Sequence, residues 1–189
     1  MPQKAKFSRE EIINTAVNVV ESDGIAALTA RTLGERLGSS ARPIFTVFHG
    51  MDEVMHGVTR YASALYKSYV AEGLASSPAF KGVGTAYIRF ASEHPKLFRL
   101  LFMSERIDVP DADSVLGIIE ESYDEILHSI TDGYGVDEAT AKRLYLHLWI
   151  YTHGIATLTV DKTCRFGAEE ISALLTEVFK GLIKGEKYD

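Results

Sequence analysis

Apolar positions recur every three or four residues along most of the chain, and almost nowhere every two. That spacing gathers them on one side of an α-helix and argues against half-buried strands. The first helix announces its own start. Ser8 stands as an N-cap, Glu11 completes a capping box, and Phe7 and Ile12 are placed for a hydrophobic staple. Ile12, Ala16, Val19 and Val20 follow at helical spacing until Gly24 stops the run. Thr29 can cap a second helix with Ala30, Leu33 and Leu37 on one face, closed by Gly38. Ser39 or Ser40 then opens a third, with Pro43 in its tolerated first turn.

Beyond residue 50 the same reading gives a long helix from Asp52 to about Glu72, ended by Gly73 and the Ser76-Ser77-Pro78 cluster. Helices over Ala79 to Glu93 and from Pro95 through KLFRLLF come next. After a loop from Asp108 to Asp113, one helix is expected to run to about Thr131, another starts near Asp137, and a last one follows Gly167. The predicted class is all-α, with about nine helices and a domain boundary near residue 50.

The last two helices read as an interface. Ile171, Leu174, Leu175, Val178, Phe179, Leu182 and Ile183 cover about half of their helix, wider than the stripe of roughly 100° that one packing face needs. Leu144, Tyr145, Leu146, Leu148, Trp149, Ile150, Tyr151, Ile155 and Leu158 place apolar groups on nearly every side of the helix before it. Little chain remains to cover them, so the pattern predicts a homodimer built as a four-helix bundle; the competing reading is one wide helix in a monomeric core.

Composition bounds the rest. With 46% apolar and 24% charged residues, the 189-residue chain is of globular type and has no stretch of the ~20 apolar residues a bilayer span needs. The opening MPQKAKFSREE lacks the apolar core of a secretory signal, and Cys164 is the single cysteine, so a cytoplasmic location is expected. Cys164 itself reads as a small buried apolar side chain. The net charge of −6 is uneven: residues 1–50, counting Lys4, Lys6, Arg9, Arg31, Arg36 and Arg42, sum to +1, and the remainder carries −7. A mildly basic unit on an acidic body can still meet phosphate where its basic side chains converge.

The stretch LTARTLGERLGSSARPIFTVFHG, residues 28–50, fits that role. On a helix over 41–48, Ala41, Ile44 and Phe48 share one side and Arg42 and Thr46 another. Arginine can make a bidentate contact with a guanine edge, threonine can meet a base or a phosphate, and Pro43 and Phe45 can touch a thymine methyl or a sugar. Thr29 and Ser40 at helix starts favour a phosphate. The pattern suits a helix-turn-helix, and on its own it suits an ordinary helical hairpin as well.

The run from Ile12 to Val54, with Ala16 and Gly24, then LTARTLGERLG, then GSSARPIFTVF before an acidic helix start, resembles the DNA-binding domain of the TetR family of bacterial transcription regulators. EHPKLFRLLF (93–102) and WIYTHG (149–154), with Trp149, His153 and Gly154, resemble the TetR C-terminal domain type named for a Trp-His-Gly signature. The resemblance implies a DNA-binding domain over 1–50, with Thr29, Arg31, Ser40, Arg42, Pro43, Phe45, Thr46 and His49 at the DNA. It implies a ligand-binding and dimerisation domain over 51–189. Where the family commonly has tyrosine, histidine and lysine, this chain has Phe45, Val47 and Met51, which removes two phosphate contacts; His49 can replace part of that loss.

The same resemblance implies an apolar inducer pocket among Phe98, Phe102, Tyr123, Trp149 and His153, with Phe90 nearby; aromatics at helical spacing read equally well as core. Arg99, Glu120, His128 and Tyr151 are further polar candidates. Glu120-Glu121 and Asp124-Glu125 read as a solvated acidic face. His147 and His153 lie about 240° apart on a helix and cannot share an ion from one face, so no metal site is expected. No cofactor motif and no catalytic constellation stands in the sequence. The expectation is a homodimeric transcription regulator, most simply a repressor, released from palindromic double-stranded operator DNA by a small, largely apolar effector, with no membrane partner. Its rival is a helical small-molecule sensor or carrier that no longer reads DNA.

Overall fold

A computed structural model describes residues 6–105 and 108–185. Lys4, counted above among the basic residues, lies outside the described residues. Among those described, every regular element is helical: nine α-helices and two short 3-10 turns. The helices are α1 (Arg9–Asp23), α2 (Ala30–Arg36), α3 (Met51–Leu74), α4 (Ala79–Glu93), α5 (Pro95–Phe102), α6 (Val115–Ile119), α7 (Tyr123–Tyr134), α8 (Glu138–Val160) and α9 (Ala168–Gly185).

The chain packs as two compact units. One comprises the described residues up to Ala64 together with His94–Ser104. Its first helix starts as the sequence predicts: the Ser8 amide donates to Glu11 Oε2 at 2.7 Å, and the Glu11 amide donates back to Ser8 Oγ at 3.1 Å. α1 buries Ile12, Ala16, Val17, Val19 and Val20, and ends where Gly24 takes a φ of +87°. Thr29 caps α2 by accepting the Thr32 amide.

The third helix expected over 41–48 is not there. In its place is a single 3-10 turn, Ile44–Thr46, in which the amides of Ile44, Thr46 and Val47 each reach back three residues. The residues explain the change. Ile44, Thr46 and Val47 are β-branched and Phe45 and Phe48 aromatic, all modest helix formers in a segment too short to offset nucleation. Thr46 Oγ1 also takes the Pro43 carbonyl at 2.6 Å, an acceptor that a helix would use. The predicted facing survives: Ile44 and Phe48 are buried, Ala41 is half-buried, and Arg42 and Thr46 are exposed. The turn is anchored next to α3, whose Glu53 accepts the His49 amide at 2.8 Å and pairs with Arg9 at 2.8 Å.

The second unit comprises Leu65–Glu93 and the described residues from Glu105 onward. α4 and α8 form its centre, burying Val83, Ala86, Tyr87 and Ile88 against Leu144, Tyr145, Leu148, Thr152 and Ile155. α9 adds Leu175 to a cluster with Ile88 and Ile155. Its remaining apolar residues, from Ile171 to Ile183, are only half-buried.

Two further expectations need correction in this unit. The helix expected to run unbroken to Thr131 is interrupted between α6 and α7, where Glu120 turns extended. Glu120 is accordingly no part of a solvated acidic face: it is buried, while Glu121, Asp124 and Glu125 are exposed. Cys164 is exposed rather than buried, because it follows the end of α8 in a turn where Lys162 adopts a φ of +56°.

Candidate functional site

Side chains of α4, α8 and α9 leave a cavity of about 310 Å³ in the second unit, near the lower limit of small-molecule sites. Its walls are aromatic: Tyr66 near the end of α3, Phe80 and Tyr87 on α4, Tyr134 on α7, Tyr145 and Trp149 on α8, and Phe179 on α9. The rings brace one another edge to face. Phe80 meets Tyr145 at 5.8 Å and 88°, and Tyr66 meets Tyr87 at 5.9 Å and 83°.

The helix break brings Glu120 to this cavity as its single acidic lining residue. Tyr66 donates its phenolic proton to Oε2 at 2.6 Å, and the Ser122 amide donates to Oε1 at 3.1 Å. Burial pushes the Glu120 carboxyl above the usual range, against the two hydrogen bonds, and the nearby charges of Glu121 and Glu125 push the same way. Tyr66, buried and facing this carboxylate, is held well above the ordinary phenol range.

A second polar group closes the cavity beside Trp149. Tyr87 Oη lies 2.9 Å from His153 Nδ1 and also takes a hydrogen bond from Trp149. An indole N–H only donates, so the Tyr87 oxygen accepts it and shares a second hydrogen bond with His153 Nδ1. Burial lowers the His153 pKa, favouring the neutral ring. Trp149 stacks on the same imidazole at 5.3 Å. Lys81 reaches from α4 to Ser172 Oγ of α9 at 2.7 Å and pins these two walls together.

Of the ligand residues read from the sequence, Trp149 lines the cavity. Tyr123 lies behind the wall, stacked on Tyr145 at 5.8 Å and 18°, and His153 touches it through Tyr87. Phe98 and Phe102 belong to the other unit, where they pack on each other at 5.1 Å. The sequence does not mark Tyr66, Phe80, Tyr87 or Phe179 as cavity residues, since a helical aromatic carries no sign of whether it faces a core, a cavity or a second copy.

The candidate DNA residues sit on α2 and on the turn after it. Thr29 caps α2, and Arg31 is exposed and pairs with Glu35 at 2.9 Å. Ser40, Arg42, Phe45, Thr46 and His49 are exposed and Pro43 is half-buried. Among the described residues Arg42 has no hydrogen-bond or ion-pair partner, and Phe45 is 48% exposed, unusually open for a phenylalanine. Lys6 extends to Ser39 Oγ at 3.0 Å, placing a further cation by the turn.

Comparison with known proteins gives two findings. Residues 80–182 match the model of a tetracyclin repressor-like, C-terminal domain, a span that holds all but Tyr66 and Pro78 of the cavity lining. The description names the family and not the Trp-His-Gly type. The fold is similar to the crystal structure of a candidate regulatory protein, SCO4313, with a TM-score of 0.63 and 20% identity over 93% of this chain and 95% of that one. At that identity the likeness is one of fold. No curated protein matches the sequence. Among the described residues no helix is long and apolar enough to cross a membrane.

Proposed function

The chain belongs to the tetracycline repressor-like family of transcription regulators, and from that premise we propose that it binds palindromic operator DNA as a homodimer and is released by a small, largely apolar ligand held in the aromatic cavity. Residues 1–50 are the DNA-binding domain in this reading, and 51–189 bind the ligand and the second copy. The observation that carries it is Arg42: an exposed arginine with no hydrogen-bond or ion-pair partner among the described residues, on a turn whose other exposed side chains are Ser40, Phe45 and Thr46. A guanidinium left free in this way is available to a guanine edge or a phosphate.

Two features support the dimer. Ile150, Gly154 and Leu158 lie four apart on one exposed stripe of α8, with Ile150 55% and Leu158 40% open. The space above Gly154 is empty, which permits close approach of a second helix. The half-buried stripe of α9 provides further apolar area. A ligand acts on such a dimer only by binding the DNA-incompetent form better, and operator DNA then weakens the ligand equally.

The test is selection from random duplexes at two salt concentrations. An enriched palindrome whose affinity falls with salt is the expected result. A folded dimer that selects no sequence and binds no duplex overturns the reading and leaves a sensor that does not read DNA.

A further inference from the structure

We propose that the cavity selects a lipophilic cation, an amine or quaternary ammonium, whose charge seats against the Glu120 carboxylate among the surrounding aromatic faces. This inference rests on the cavity being the ligand site.

Glu120 is 92% buried, and among the described residues it has no cationic partner. A buried carboxyl bears its charge at a cost unless it is paired or takes up a proton, and a cationic ligand would supply the pairing. No described residue supplies a compensating charge. The charges acting on it most strongly, Glu121 and Glu125, are negative. Lys67 lies toward Glu121 instead, at 3.8 Å. Neither of the two lysines in the cavity lining pairs with Glu120: Lys81 donates to Ser172 Oγ, and Lys180 is exposed.

Tyr66 and the Ser122 amide use one site on each carboxylate oxygen. A carboxylate offers about four such sites, so acceptor capacity remains for a ligand N–H or for the field of a quaternary nitrogen. The wall around it is also of the right kind. Tyr66, Tyr87, Tyr145 and Trp149 present electron-rich rings, which attract cations and tolerate the apolar remainder of the molecule. An anion would meet Glu120 with repulsion, and a neutral ligand would leave it unpaired.

Three probes of one shape class separate these cases: benzyltrimethylammonium, its neutral isostere neopentylbenzene, and the anion 3-phenylpropionate. Their affinities for the full-length protein are measured by equilibrium dialysis. Trp149 is the only tryptophan and lines the cavity, so its emission locates the bound probe. The cation is expected to bind about tenfold or more tighter than the isostere, and Glu120→Gln to bring that ratio near one. The wild-type comparison decides the matter even where the variant does not fold. Equal binding of cation and isostere, preference for the anion, or an unchanged ratio in Glu120→Gln overturns the proposal while leaving the cavity as a ligand site. Retention of none of the three overturns both.

Discussion

A Cβ built on Gly34 would stand 2.9 Å from the Ala41 amide nitrogen. The carbonyl carbon of Ser40 is equally near, so α2 and the turn carrying Arg42 meet backbone to backbone. No side chain can yield there. Gly34→Ala must push the turn away, at a cost of about 1–3 kcal/mol in stability by the usual measure of overpacking. Urea unfolding checks that cost. Operator affinity is expected to fall with it, whereas probe binding in the cavity, measured on the folded variant, is expected to hold.

Arg42→Ala is expected to behave in the opposite way. The side chain is exposed and has no hydrogen-bond or ion-pair partner among the described residues, so stability should move by no more than about 0.5 kcal/mol. Affinity for the selected operator should drop by about 1–3 kcal/mol, with specificity relaxed at one base pair. Competition between the operator and single-base variants of it reads both effects. An unchanged base preference removes Arg42 from the reading face.

Much of this is legible in the sequence, and what is not has a physical reason. The Ser8–Glu11 box, the Thr29 cap, the helix start near Asp137 and the limits of α4 depend on neighbours within four residues, so local pattern suffices. The break before Tyr123 depends on Glu120 turning inward to Tyr66, 54 positions away, while helical spacing continues undisturbed through it. Phe98 and Phe102 looked convergent with Trp149 because spacing says nothing of which unit α5 joins. The 3-10 turn at Ile44–Thr46 is not legible in the sequence because facing and helix type are separate questions: the apolar spacing fixes the buried side but not the hydrogen bonding.

The two family departures that remove a phosphate contact, Phe45 and Met51, can be told apart by salt. Met51→Lys adds a charge that can release one counterion, so the slope of log affinity on log salt should steepen by about one. Phe45→Tyr adds only a neutral hydroxyl at an exposed ring, and should raise affinity without changing the slope. Titration of duplex at several salt concentrations separates them. A steeper slope from Phe45→Tyr would mean that the turn itself is repositioned.

His153 sets a pH limit on the cavity unit. Its pKa is lowered from 6.5 by burial, so on acidification the unfolded chain takes up this proton before the folded one does. The stability it contributes is present above 6.5 and lost as pH falls from there toward the lowered value. Glu120 acts with the opposite sign, since its carboxyl is raised: the cost of its buried charge is complete above the raised pKa and is relieved as pH falls below it. His153→Gln is therefore expected to flatten the acid loss of thermal stability, and Glu120→Gln to deepen it. Melting curves at a series of pH values distinguish the two.

Ile150→Glu tests the dimer without disturbing the core. Ile150 is more than half exposed, so the isolated unit should tolerate a charge there, whereas a helix packed over Gly154 would bury that charge without a partner. The dissociation constant is expected to rise by about tenfold or more, seen by light scattering across a dilution series. Affinity for the palindrome should fall with it, while a single half-site, which needs only one copy, should bind as before. Ile25→Glu serves as the control, because Ile25 is exposed on the other unit, 37% open, and lies off the α8 stripe. If Ile150→Glu and Ile25→Glu leave assembly equally intact, α8 is not the seam, and the half-buried stripe of α9 becomes the face to probe.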